Sequence, residues 1–186
     1  MKNSVKVFAP ATVANICCGF DVLGLALEAP GDEIVLYPTD EPGVRIVKIE
    51  GAELPFDIEQ NVAGKAAASM LKACGSPFGI EMEIYKGIKP GSGIGSSAAS
   101  AAAAIEGVRA LLKQEFTPSV LIEWAMDGEF LASGARHADN VAPALLGGIV
   151  LMQGYNPLNI IELPVPEQLH VVIIHPQISI RTSEAR

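Results

Sequence analysis

A glycine-rich segment that runs directly into an alanine-rich one constrains this chain more than any other feature. Residues 90–100 read Pro-Gly-Ser-Gly-Ile-Gly-Ser-Ser-Ala-Ala-Ser, and alanines continue to Ala104. Glycine lets a backbone take positive φ and approach a ligand closely, whereas alanine is the best helix former. The sequence therefore predicts a loop opening into a helix, with unpaired N–H groups and the positive end of the helix dipole at one point.

Such an arrangement favours a phosphate-binding site, with the hydroxyls of Ser96 and Ser97 placed to bind phosphate or a metal ion. The segment is not a Walker A loop, because no Gly-Lys-Ser/Thr follows its second glycine. It also differs from the protein-kinase loop and from the dinucleotide-binding fingerprint. The alternative is a glycine turn that only begins a helix, with a serine as its N-cap.

Charge and hydropathy exclude several classes of function. The 186 residues carry 13 basic and 21 acidic side chains, a net charge of −8, which argues against nucleic acid or an anionic membrane as a partner. The N-terminus shows no signal peptide, and the most apolar stretch, 141–152, is too short to span a bilayer. Cys17, Cys18 and Cys74 lack metal-site spacing and indicate reduced thiols in a cytoplasmic protein.

The order of predicted elements favours an α+β fold. Alternation and β-branched residues predict strands at 5–9 (ended by Pro10), 32–37, 44–49, 78–85, 148–153 and 169–175. Helical spacing predicts helices at 61–74, 96–113 and 119–131. This order lacks the regular strand–helix alternation of a doubly wound sheet.

The C-terminal end of the sequence is expected to be an incomplete unit. The apolar strand 169–175 needs neighbours on both sides, yet only eleven residues follow it, and residues 182–186 read as the beginning of a helix. We therefore expect 169–174 to expose an apolar edge that pairs with another chain, which allows a homodimer.

Polar residues stand out in four further places. Asn15 and Asp21 lie in a glycine-containing segment, where such residues often only bond their own backbone. Asn61 lies at a helix start and has a plain N-cap as its alternative. Glu129 lies in an apolar helix, and with Ser97 it would supply the oxygen ligands that Mg²⁺ prefers. The fourth place is a dense polar patch of Arg136, His137, Asp139 and Asn140.

Taken together, these segments resemble the GHMP small-molecule kinases. Residues 90–100 are similar to the family's phosphate motif Pro-x-x-x-Gly-Leu-Gly-Ser-Ser-Ala, with Ile94 for leucine. Residues 10–21 and 137–148 look like those of the homoserine kinase branch, and the likeness covers essentially the whole chain. Cys17 and Cys18 replace smaller residues. The resemblance implies a fold like domain 2 of ribosomal protein S5 over 1–165, and over 166–186 only the start of a ferredoxin-like domain.

The resemblance also implies a reaction and its ligands. ATP would donate its γ-phosphoryl group to the side-chain hydroxyl of L-homoserine, with Mg²⁺ held by Ser97 and Glu129, the residues taken as catalytic. Asn61, Val62 and Lys86 would lie near the nucleotide. The substrate would contact Asn15, Asp21, His137, Thr182 and Arg186. The phosphates would contact Pro90, Gly91, Ser92, Gly93, Ile94, Gly95, Ser96 and Ser97.

Two features leave the function open at this point. No residue matches a catalytic base, and Asp139 is only the nearest carboxylate in the matching segment. Without the family's second half, the chain is expected to be weakly active or inactive. The alternatives are another GHMP kinase or a non-catalytic nucleotide-binding module on the same scaffold.

Overall fold

The computed structural model describes residues 4–174, which form one mixed sheet and four helices. The sheet runs β3-β4-β2-β5-β6, with β1 also paired to β2. β3 and β4 are parallel and connected through α1, and the other pairs are antiparallel. The α+β prediction is therefore confirmed. The strands are β1 (Val5–Asn15), β2 (Gly19–Thr39), β3 (Val44–Glu50), β4 (Gly79–Tyr85), β5 (Ile149–Tyr155) and β6 (Leu158–Leu163), and the helices are α1 (Val62–Ala73), α2 (Ser96–Leu112), α3 (Pro118–Ser133) and α4 (Val141–Leu146).

One face of the sheet is buried and the other is polar. On β2, the buried positions alternate as Asp32, Ile34 and Leu36, and β4 continues the alternation at buried positions 80, 82 and 84. The intervening positions carry charges that pair across strands, as Lys6 does with Glu33. Because only one face must be covered, a single layer of helices completes the core.

Helix α2 is the centre of that helical layer. Its residues 98–105 are all buried, and seven of these eight are alanine or isoleucine. Small side chains let the helix axis approach the sheet closely. At Gly107 a Cβ atom would lie 1.9 Å from Leu36 Cδ1, so a larger residue would have to displace the buried Leu36 side chain. The alanine run is thus a packing surface as well as a helix-forming one.

The first two strands are longer than the sequence predicts. β1 does not end at Pro10 but continues to Asn15, and β2 begins at Gly19 rather than at residue 32. β1 pairs with β2 alone among the described strands, and Pro10 lies opposite Gly31 just before a register shift. Proline is tolerated there because an edge strand or a bulge does not need its missing N–H group.

Two short elements were not predicted. α4 has only six residues and contains Pro143, which its first turn tolerates. β6 forms a hairpin with β5 across Asn156 and Pro157. The Asn-Pro pair is a turn signal, and it was the available indication of this hairpin.

The apolar C-terminal segment does not form the predicted strand over its described residues. Residues 169–174 have no strand pairing. They are exposed as expected, with Val172 at 85% and Ile174 at 87%. A strand needs a paired neighbour, and the described part of the chain offers it none. Thr182 and Arg186 lie outside the described residues, and the homodimer remains a prediction for sedimentation analysis.

The helices and the cysteines bear on the expectations about membrane spans and reduced thiols. Over residues 4–174, no helix combines the length and the apolar character that crossing a membrane requires. Cys17, Cys18 and Cys74 are free thiols, with the first two exposed.

Candidate functional site

The glycine loop has the backbone that the sequence predicts. Gly91, Gly93 and Gly95 all have positive φ, at 74°, 77° and 69°. The N-cap of α2 is Gly95, which has no side chain to cap the helix. The alternative of a serine N-cap is therefore wrong. A Cβ atom on Gly95 would lie 2.0 Å from Thr12 Oγ1. Both φ and the contact with β1 therefore require glycine here.

Thr12 connects this loop to a second segment. Its backbone N–H donates to the carbonyl of Ile94 over 3.1 Å. Its hydroxyl donates to Asn140 Oδ1 over 2.8 Å. Thr12 is fully buried, so the position of the loop relative to Asn140 is set by protein contacts rather than by water.

The two serines after Gly95 have different surroundings. Ser97 lines the central cavity. Ser96 also lines it, but its hydroxyl donates to the carbonyl of Ile88 over 2.9 Å. The Ser96 hydroxyl hydrogen is therefore used in a bond within the protein. A ligand would contact the hydroxyl oxygen of Ser96 or its backbone N–H group.

A buried ion pair supports the loop from beneath. The Lys86 ammonium pairs with Asp32 and donates to the Ser96 carbonyl and to Ser100 Oγ, each over 2.8 Å. Asp32 Oδ1 accepts the N–H groups of Gly87 and Ile88. The side chains of Lys86 and Asp32 are 2% and 0% exposed. Lys86 lines the cavity, but its donors are committed to the protein.

Burial sets the electrostatics of this pair. Desolvation lowers the pKa of Lys86 below its ordinary value, while the charges of Asp32 and Glu129 act in the opposite direction. Asp32 could have been suspected from the sequence, because it occupies the buried register of β2 with Ile34 and Leu36. A carboxylate in that register needs a partner.

Asn61 is the N-cap of α1. Its Oδ1 accepts the N–H groups of Ala63 and Gly64 over 3.1 and 3.2 Å, and its Nδ2 donates to the Pro55 carbonyl over 2.9 Å. The interpretation of Asn61 as a helix N-cap is therefore confirmed. Asn61 and Val62 also line the cavity, so this cap fixes one wall of the cavity.

Glu129 and Ser97 could hold a cation together. Both line the cavity, and Glu129 lies close enough to Lys86 for its charge to affect that ammonium. Among residues 4–174, no three His, Cys, Asp or Glu side chains converge as a metal centre. One carboxylate and one hydroxyl fit Mg²⁺, which takes few protein ligands and completes its shell with phosphates and water.

The Asp21 and His137 segments supply a second group of residues that line the cavity. The Asp21 backbone N–H donates to Asn15 Oδ1 over 2.9 Å. His137 Nδ1 lies 3.6 Å from Asp21 Oδ1. Asn15 and Asp21 both have positive φ, at 69° and 59°, so the turn holds them in a conformation that asparagine and aspartate tolerate better than most residues.

One cavity of about 740 Å³ unites these groups. Its size suits a ligand much larger than an amino acid alone. Ser92 and Ile94 do not line it, and Ile94 packs against the core instead. The sequence did not indicate the apolar part of the wall, which is formed by Phe20, Leu54, Pro55 and Leu131. Asp139 and Asn140 also line the cavity, although the sequence assigned them no role.

Comparison with known proteins gives the site a context. Residues 61–148 match the family model described as the GHMP kinases N terminal domain. The chain is 43% identical to a homoserine kinase of Xanthomonas campestris over 99% of its own length and 57% of the relative's. A homoserine kinase of Methanococcus vannielii is 42% identical, with 99% and 61% covered. The chain thus spans about 60% of these relatives' length.

Two solved structures of kinases are similar to this chain in fold. The crystal structure of homoserine kinase from Cytophaga hutchinsonii superposes with a TM-score of 0.92 at 49% identity, covering all of this chain and 59% of that one. The mevalonate kinase of Methanococcus jannaschii gives a TM-score of 0.66 at 14% identity over 88% of this chain and 56% of that one. The second likeness concerns the fold alone.

Proposed function

The chain contains a GHMP kinase N-terminal domain, and from this we propose that it is the ATP- and substrate-binding part of a homoserine kinase. The reaction is transfer of the γ-phosphoryl group of ATP to the side-chain hydroxyl of L-homoserine, giving O-phospho-L-homoserine. One observation carries the proposal: a single cavity is lined both by the glycine loop, which we call the phosphate end, and by Asp21 with His137, which we call the substrate end.

The glycine loop is proposed to bind the phosphates. Positive φ at Gly91, Gly93 and Gly95 exposes backbone N–H groups, and the N-terminus of α2 adds its dipole. Lys86 is proposed to act through the loop, because its ammonium already donates to the Ser96 carbonyl. Asn61, Val62 and Leu54 are proposed to lie beside the adenine ring, with Val62 and Leu54 supplying apolar contacts.

Ser97 and Glu129 are proposed to hold Mg²⁺. The ion would neutralise charge that develops on the transferring phosphoryl group, which is the main catalytic requirement of such reactions. Glu129 supplies the carboxylate from the last turn of α3, and Ser97 supplies the hydroxyl from the first turn of α2. These two helices pack together, so their packing sets the distance between the ligands.

Asp21, Asn15 and His137 are proposed to bind homoserine. The Asp21 carboxylate suits an ammonium group, and His137 lies 3.6 Å away to share that end of the cavity. Thr182 and Arg186, which lie outside the described residues, are proposed to contact the substrate carboxylate. In-line attack by the substrate hydroxyl then requires positioning between Asp21 and the glycine loop rather than a covalent intermediate.

The test is ATP-dependent phosphorylation. The 186-residue chain, and a chimera continuing it with the remaining sequence of the Cytophaga hutchinsonii enzyme, are assayed for ADP release and for phosphohomoserine. Expected is Mg²⁺-dependent turnover of L-homoserine by the chimera, and weak or no turnover by the chain alone. Turnover of mevalonate instead would indicate another GHMP kinase. Nucleotide binding without any turnover would indicate a binding module.

A further inference from the structure

The two segments at the substrate end of the cavity share one hydrogen-bonding partner. The hydroxyl of Tyr155 donates to the backbone carbonyl of Asp21 over 2.8 Å. The same hydroxyl accepts the backbone N–H of Ala138, the residue after His137, over 3.2 Å. We call these two bonds the Tyr155 bridge. It uses the phenol both as donor and as acceptor.

The ring of Tyr155 also contacts this end of the cavity. Its centroid lies 6.2 Å from that of His137, with the planes at 77°, an edge-to-face arrangement. Tyr155 is 40% exposed, so its contribution is not that of a core residue. It is the last residue of β5 and pairs with Leu158 of β6, and the hairpin therefore gives the phenol a fixed base.

The two bridged segments are not aligned with each other by strand pairing, because Asp21 lies at the start of β2 whereas His137 lies outside any strand. Asp21 has positive φ close after the turn between β1 and β2. His137 lies in the irregular connection between α3 and α4. The Asp21 carbonyl and the Tyr155 hydroxyl are 134 positions apart in sequence. The alignment of the two segments therefore depends on contacts between residues distant in sequence. The Tyr155 bridge is one of these contacts, and it joins both segments through the phenol oxygen.

We propose that Tyr155 is a positioning residue, which holds Asp21 and His137 in register to receive the amino-acid substrate. The proposal rests on the proposed function, because it assigns the substrate end of the same site. The bridge acts on backbone groups next to the substrate-binding side chains and not on the glycine loop. Its loss therefore affects the binding of L-homoserine and leaves the binding of ATP nearly unchanged.

The test compares Tyr155→Phe with Tyr37→Phe, both made in the chimera with the Cytophaga hutchinsonii sequence, in the kinase assay. Tyr155→Phe keeps the ring and removes the bridge, and it is expected to raise KM for L-homoserine about fivefold, the scale of one net hydrogen bond. KM for ATP and kcat should stay within about twofold. Tyr37 lies on β2 opposite Glu81, away from the cavity lining, and its variant should match the parent protein. Unchanged KM for L-homoserine in Tyr155→Phe, or an equal rise for ATP, would overturn the proposal.

A second readout separates the bridge from the reaction. Amide hydrogen exchange at Ala138 is expected to be faster in Tyr155→Phe, because its N–H loses its acceptor, and unchanged in Tyr37→Phe. Unchanged exchange at Ala138 would overturn the bridge itself. If exchange rises but the parent protein does not use L-homoserine, the bridge stands and the substrate assignment has failed.

Discussion

The two ends of the cavity are built in opposite ways. The phosphate end rests on a buried network in which Asp32, Lys86 and Ser100 support the first turn of α2. The substrate end consists of the start of β2, just after a turn, and an irregular connection, joined by a partly exposed phenol. One end is therefore fixed by the core of the domain, and the other by a few surface contacts.

This contrast suits the two proposed ligands. Triphosphate binding by backbone N–H groups needs fixed geometry, since the dipoles must already point at the ligand. A small amino acid, by contrast, must enter and leave between catalytic cycles, and less stable segments allow this. Substitutions at the phosphate end should therefore cost folding stability as well as binding, whereas those at the substrate end should cost binding alone.

The largest effect is expected at Asp32. Asp32→Asn leaves the Lys86 ammonium buried without its counter-charge, and it should lower the free energy of unfolding by about 3–5 kcal/mol. Asparagine keeps one oxygen to accept the N–H groups of Gly87 and Ile88. Urea denaturation measures the loss. The double variant Asp32→Asn/Lys86→Met should recover part of it, and a double variant less stable than Asp32→Asn would contradict the account.

The same variant should respond to pH in a defined direction. Burial already lowers the pKa of Lys86, and removing Asp32 lowers it further, so the unfolded state binds more protons at alkaline pH than the folded state does. Stability of Asp32→Asn then rises with pH towards the ordinary lysine range. The deficit relative to the parent protein should be largest at neutral pH, and a constant deficit would exclude Lys86 as its cause.

Gly95 gives the next largest effect. Gly95→Ala places alanine at a φ of 69° and brings its Cβ atom within 2.0 Å of Thr12 Oγ1. Gly93→Ala places alanine at a φ of 77°, but no atom beyond the adjacent residues lies within 4 Å of its Cβ position. Left-handed alanine costs about 1–2 kcal/mol at either site, and the contact should add about 1–3 kcal/mol at Gly95. Thermal unfolding and nucleotide titration measure both variants. Equal losses would mean that the contact with β1 does not position the loop.

Glu129 should affect binding more than folding. Glu129→Gln keeps the shape of the side chain but removes the proposed Mg²⁺ ligand charge. The gain in nucleotide affinity that Mg²⁺ provides should fall at least about tenfold, equivalent to about 1.4 kcal/mol. Titration of a fluorescent ATP analogue with and without Mg²⁺ measures this gain. Glu123→Gln, on the exposed side of the same helix, is the control, and an equal fall there would remove Glu129 from the site.

The smallest effect is expected at Asn15. Asn15→Gly tolerates the φ of 69° but loses the acceptor of the Asp21 N–H group. Stability should change by less than about 1 kcal/mol, and L-homoserine affinity should fall about fivefold. Calorimetric titration with L-homoserine provides the measurement. A large loss of stability would place Asn15 with the core-supported end and weaken the contrast.

The same contrast explains what the sequence could predict. The glycine loop, the N-cap at Asn61 and the helix after Gly95 follow from residues within one segment, so local rules were enough. The Tyr155 bridge joins residues 134 positions apart, and the Thr12–Asn140 bond spans 128. No periodicity in one sequence reports such pairs. The lengths of β1 and β2 were underestimated for a related reason, because their pairing with each other makes Pro10 acceptable.

The central claim is that one cavity receives the nucleotide at the glycine loop and the amino acid at Asp21 and His137. Amide hydrogen exchange of the chain with Mg²⁺ and a non-hydrolysable ATP analogue, and then with added L-homoserine, tests it most directly. The account predicts slower exchange at residues 91–97 with the nucleotide, and a further slowing confined to residues 15–21 and 137–139 with the amino acid. Protection of both ends by the nucleotide alone, or of neither end by L-homoserine, would contradict it.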